Sequence, residues 1–184
     1  AYYNDGNGTN AGHTRVYALS SGSWTQLGSD VNGEASNDES GYSVSLNSDG
    51  DRMAIGAPYN DGTGSNAGHV RIYEYSGGSW SQLGSDIDGE ASWDESGCAV
   101  SLNNAGDRVA IGAKYNGDGN AGHTRVYAYS DNAWTQLGSD IDGEADSDNS
   151  GWSVSLNDAG DRVAIGAYYN DGNGTNAGHT RVYA

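Results

Sequence analysis

Cysteine is nearly missing from this chain: Cys98 stands alone among 184 residues. One thiol forms no disulfide framework and no thiolate metal site, and a lone Cys reads first as a small buried apolar residue. Proline occurs once, at Pro58, and phenylalanine not at all. Lys and Arg number 8 against 25 Asp and Glu, giving a formal charge of −17. Nucleic acid and anionic lipid are held by clustered cations, so this surface excludes both as partners. No apolar run approaches the roughly 20 residues of a membrane helix, so no membrane insertion is expected. No secretory leader is visible, but the chain begins inside a repeat, and a true N-terminus is expected upstream.

What the chain has instead is glycine, 30 residues of it, with 13 Tyr and 5 Trp supplying the aromatic content. It is also periodic. "GDRMAIGAPYNDG", "GDRVAIGAKYNGDG" and "GDRVAIGAYYNDG" begin at Gly50, Gly106 and Gly160. Repeats start at Ala1, Ala57, Ala113 and Ala167, which gives periods of 56, 56 and 54 residues. The organisation is therefore one repeat domain, with repeats 1–56, 57–112 and 113–166 and a partial copy at 167–184.

Each repeat reads as four short strands. Residues 42–47 alternate Tyr42, Val44 and Leu46 with Ser43 and Ser45, the period of a half-buried strand. Asp49-Gly50 makes a hairpin turn. Arg52–Ala57 is apolar or small on both faces and reads as a fully buried strand. After a Gly/Asn/Asp loop, residues 69–75 alternate again, and a "SGGS" turn leads into a fourth strand over 80–87. Four antiparallel strands per repeat of this length is the pattern of a β-propeller blade. The fold class is all-β, with tandem four-stranded blades. Complete blades are expected at 42–87 and 98–141, with partial blades at both ends and thirteen strands in all.

Residues 40–80, "SGYSVSLNSDGDRMAIGAPYNDG…GHVRIYEYSGGSW", resemble the FG-GAP repeat of integrin-α-type propellers. Gly56-Ala57-Pro58 matches the family's closing tripeptide, and Gly68-His69-Val70-Arg71-Ile72-Tyr73 its following strand. The Phe-Gly pair is replaced by Gly41-Tyr42, Gly97-Cys98 and Gly151-Trp152. The calcium loop that the resemblance implies is reduced to a tight turn at Asn47–Asp51, which puts that site in doubt. The near-identical copies are similar to secreted tandem arrays, which implies an extracellular or cell-surface location.

The eighteen letters at 1–18 return at 167–184. A window from a longer array, exchange of a spare strand between chains and an engineered chain all fit. In the first two, unpaired edges invite another chain, so the first expected partners are copies of the chain or neighbouring repeats.

Two kinds of acidic, Gly-rich loop are calcium candidates, because oxygen ligands on flexible loops suit that ion. One carries Asp5, Asn7, Asp61, Asp118 and Asp171. The other carries Asp86, Asp88 and Glu90, with Asp140, Asp142 and Glu144 one repeat later. The competing reading is turn chemistry, since Asn, Asp and Gly stabilise tight turns locally. No cofactor is otherwise indicated. His13, His69, His123 and His179 fall in different repeats, and with no local ligand pair they read as strand residues bonded to a loop carbonyl. Arg15, Arg71, Arg125 and Arg181 read as inter-blade ion pairs or carbonyl donors. Trp93, in an acidic loop, is the aromatic expected to be exposed, and so a candidate ligand contact. Asn7 and Asn173 lie in Asn-Gly-Thr glycosylation acceptors.

No nucleophile, base and orienter can be argued to converge, and nothing marks one repeat out, so an enzyme is not expected. The sequence points to an extracellular structural or adhesive element that assembles through repeated blades. The alternative is a lectin-like or integrin-like propeller that binds glycans or matrix protein.

Overall fold

The computed structural model describes residues 1–184, apart from the side chain of Asp118. The chain is built of antiparallel strands, with no α-helix among the described residues. At the start lie β1 (His13–Thr14), β2 (Tyr17–Ser20), β3 (Ser23–Gln26) and β4 (Val31–Asn32), with β2 paired to β3 and β1 to β4. The first complete blade comprises β5 (Ser43–Leu46), β6 (Arg52–Ala57), β7 (His69–Ser76), β8 (Ser79–Gln82) and β9 (Ile87–Asp88). The second repeats it as β10 (Ala99–Leu102), β11 (Arg108–Ala113), β12 (His123–Ser130), β13 (Ala133–Gln136) and β14 (Ile141–Asp142). A three-stranded sheet closes the chain, with β15 (Ser150–Leu156), β16 (Val163–Ala167) and β17 (His179–Tyr183).

The fold is all-β and propeller-like, as the repeat pattern predicts. One difference has consequences for the site. The expected single fourth strand breaks in two. Gly84 takes φ +79°, in the region open to glycine. The Gln82 side-chain amide donates to Asp86 across the turn. The chain then leaves the edge of β8, and β9 pairs with the start of β7, setting Asp88 opposite His69. The strand count therefore exceeds the thirteen expected.

The core lies between blades, not within one. In β6, Met53 and Ile55 cluster with Val16, Val31 and Tyr73 on the side of the preceding repeat. Ala54 faces the other way, in a cluster that joins Val70, Ile72 and Ile87 to Leu102, Val109, Ile111 and Tyr127 of the next blade. Ala110 repeats this against Val163 and Ile165. A small residue on one face thus receives the large β-branched residues of the following blade. Each fully buried aliphatic side chain contributes about 1.5–3 kcal/mol. The glycine of the same strand permits the approach: a Cβ on Gly56 would overlap the carbonyl of Gly97, and one on Gly112 that of Gly151.

Polar contacts repeat at the same junctions. Trp80 donates its indole N–H to the Leu27 carbonyl, and Trp134 to that of Leu83, both at 2.8 Å. Arg52 donates to the Gly106 carbonyl and Arg108 to that of Gly160. Ser45 Oγ accepts from the Leu102 amide and Ser101 Oγ from that of Leu156. No helix among the described residues is long and apolar enough to cross a membrane.

Candidate functional site

One face of the blades carries the ends of β6 and β11, the starts of β7 and β12, and the acidic connections between blades. Most of it is identical from copy to copy. The exceptions concentrate at Tyr42, Cys98 and Trp152, at Pro58, Lys114 and Tyr168, and at Glu39, Glu95 and Asn149. The fold draws several of these together. Tyr42, Cys98, Lys114 and Trp152 line a small cavity of about 70 Å³. Lys114 Nζ lies 2.8 Å from Glu95 Oε2 in a buried ion pair. It also sits 5.0 Å from the ring centroids of Trp152 and Tyr115, and 5.7 Å from that of Tyr42. Burial opposes its charge, but the hydrogen bond and charge of Glu95 outweigh burial and raise its pKa. Burial pushes the Cys98 thiol up to about 11, so it stays protonated at neutral pH. Burial, with Glu95 assisting, pushes the nearby Tyr59 phenol up to about 12. Aromatic rings continue the row on both sides: Tyr42 meets Tyr2 and Tyr59, and Trp152 stacks on Tyr168 at 5.2 Å.

Farther from this cavity, each blade junction holds a histidine between two carboxylates. His69, at the start of β7, is 2% exposed. Its Nδ1 lies 3.6 Å from Asp86 Oδ2, brought there by the turn before β9, and 3.9 Å from Glu34 Oε2 of the preceding connection. His123, Asp140 and Glu90 repeat the group, with Nδ1 3.8 Å from Asp140 Oδ2. His13 with Asp30, and His179 with Glu144, form two-membered versions. Burial and then the neighbouring arginine lower the pKa of His69 and His123, with the carboxylates offsetting in part. The imidazoles are therefore neutral at neutral pH. These groups could hold a metal ion. The expectation of histidines bonded to loop carbonyls is corrected here: they face carboxylates 17 and 35 residues away in sequence.

The other predicted residues are scattered. Asp5, Asp61 and Asp171 each accept a backbone N–H five residues on, from Asn10, Asn66 and Asn176. Asn7 donates to the Gly33 carbonyl. Asp88 and Asp142 are exposed, and their main-chain carbonyls accept from Arg125 and Arg181. Glu144 pairs with Arg181 at 3.3 Å. Asp118 lies outside the described side chains. Asn173 is exposed, and so is Trp93, at 61%. Sequence reasoning missed Lys114 and the Glu–His–Asp groups. Aligning the copies would have exposed the first as the one cation that breaks the pattern. For the second, the signal was one Glu, one His and one Asp recurring at the common period.

The FG-GAP repeat family model matches residues 31–73 and 140–183. These are FG-GAP repeats. No curated protein sequence matches the chain. Among solved structures, a Bacteroides uniformis protein assigned as a 6-phosphogluconolactonase is similar over 93% of this chain and 48% of its own, with 10% identity and a TM-score of 0.59. The Pseudomonas aeruginosa periplasmic gluconolactonase is similar over 85% of this chain and 44% of its own, with 14% identity and a TM-score of 0.52. The FG-GAP chain thus spans about half the length of these neighbours. At such identity the likeness concerns the fold. It corrects the expectation that an enzyme can be ruled out. Both neighbours are named as lactonases, so blades of this kind form an enzyme scaffold. On such a scaffold, groups converge between blades, and a missing local motif excludes nothing.

Proposed function

We propose that this FG-GAP repeat module is an adhesive recognition element of the cell exterior, which binds glycan through the aromatic face around Tyr42, Lys114 and Trp152. The observation that carries this reading is a partition. Residues at the blade junctions, such as Trp80 and Trp134, Arg52 and Arg108, Ser45 and Ser101, are the same in every copy and make the same bonds. Residues that differ between copies gather on one face, where rings stand partly exposed: Tyr42 at 39% and Trp152 at 41%. Repetition serves the scaffold, and each added blade docks on the last by the same contacts. Divergence serves the surface that meets a partner. Exposed ring faces stack on the C–H faces of sugars, and a lysine held beneath them supplies a charge-assisted donor.

The test is retention of the protein on a panel of immobilised polysaccharides. Wild type should bind at least one member, and Tyr42→Ala with Trp152→Ala should weaken binding by roughly tenfold, as expected for the loss of one or two ring contacts. Failure of the wild type to bind any member, or equal binding by the variant, overturns the reading.

A further inference from the structure

We propose that the Glu34–His69–Asp86 and Glu90–His123–Asp140 groups are binding sites for a divalent transition cation of the zinc class, each clamping one blade to the next. The argument begins with His123. Its side chain is 1% exposed, and its Nδ1 has no hydrogen-bond partner. A buried polar nitrogen left this way is destabilising. It nevertheless points toward two carboxylates. The 3.6–3.9 Å separations in the two groups exceed hydrogen-bond length. They lie close to the roughly 3.3 Å between ligands on one tetrahedral ion with bonds of about 2.0 Å.

The carboxylates are also pre-oriented. Glu34 gives Oε1 to Arg71 at 3.1 Å and turns Oε2 to His69. Glu90 gives Oε1 to Arg125 at 3.3 Å. Asp140 accepts from Gln136 on Oδ1 at 2.6 Å and turns Oδ2 to His123, and Asp86 is held likewise by Gln82. One oxygen of each is thus fixed by a neighbour while the other faces the imidazole, which is how outer partners orient metal ligands. One nitrogen and two carboxylate oxygens leave positions open for water. The imidazole favours zinc, cobalt or manganese over calcium, which prefers six to eight oxygens. The glutamate comes from the connection before the blade, and the histidine and aspartate from the blade itself. An ion here ties the two together. It sits in reach of solvent, since Glu34 is 47% and Asp86 28% exposed on the side chain.

The experiment is calorimetric titration of the metal-free 184-residue chain with Zn²⁺ and separately Ca²⁺, with Co²⁺ absorption as the spectroscopic signature. Two equivalents of Zn²⁺ are expected, at affinity well above that of Ca²⁺, with a visible Co²⁺ band. His69→Gln combined with His123→Gln should abolish both the binding and the band. Asp86→Asn combined with Asp140→Asn changes only partly exposed groups and should keep the fold by circular dichroism. It should lose roughly tenfold or more in Zn²⁺ affinity. Calcium binding as tight as zinc, no cobalt band, or unchanged zinc binding in a folded Asp86/Asp140 variant overturns the proposal.

Discussion

β5 and β10 occupy the same place in successive repeats and carry nearly the same letters, "SVSL" and "AVSL". Their apolar residues fare differently. Leu102 is 6% exposed, inside the cluster between blades, whereas Leu46 is 49% exposed; Val44 is 55% exposed and Val100 half-buried. The same holds for the tryptophans. Trp80 and Trp134 are half-buried against the preceding repeat, and Trp24 is 69% exposed. Alternation says which side chains share a face of the strand. Whether that face is core depends on the neighbouring blade, and residues in β10 have β5 beside them. In a repeat fold the burial of a residue belongs to the junction and not to the repeat.

The comparison can be broken most severely at a junction glycine. Gly112→Ala places a methyl group against the Gly151 main chain, which cannot give way as a flexible side chain does. A loss of about 3 kcal/mol or more in urea unfolding is expected. Gly22→Ala meets no atom nearby and should lose less, from its positive φ alone. Next comes the matched leucine pair. Leu102→Ala should cost about 2–4 kcal/mol, as for a buried aliphatic that leaves a cavity, and Leu46→Ala about 0.5 kcal/mol or less. Equal losses would show that the strand, not the junction, sets the energy. The smallest effect concerns the indole bond. Trp134→Phe should cost about 1 kcal/mol for a lost hydrogen bond and some packing, while Trp24→Phe should leave the unfolding midpoint unchanged. A double-mutant cycle of Trp134 with a second junction residue would sharpen the assignment.

Much of the fold was legible because local chemistry enforces it. Asp49-Gly50 and its copies announce hairpins, and in the structure Asn47 Oδ1 accepts from the amides of Asp51 and Arg52 to close the turn. The small-large pattern of Arg52–Ala57 announces a strand buried on both faces, and Met53, Ala54 and Ile55 are all at or below 2% exposure. The break of the fourth strand at Gly84 was not legible, since "WSQLGSDI" fits one continuous strand equally well. That break matters for the candidate metal site, because the turn it creates carries Asp86 to His69. The arginines were read more fully: Arg71 donates to the Asn32 carbonyl and pairs with Glu34, both across the junction. Asp38, Asp94 and Asp148 show how acidic loop residues can be structural. Each is buried, and each receives a side-chain amide from the next repeat, Asn60, Asn116 or Asn170.

The sequence by itself determined the period, the strands, the turns and the acidic character, because these depend on residues close together in the chain. It also determined where the copies differ. Only the tertiary structure decided what those differences do. Lys114 and Glu95 are 19 residues apart, yet they form a buried pair beneath rings drawn from three repeats. Glu34, His69 and Asp86 become one group only when blades stack and the fourth strand turns back. The physical reason is common to both. A blade cannot bury its faces alone, so the stacking that supplies the core also fixes which distant side chains meet at its edges.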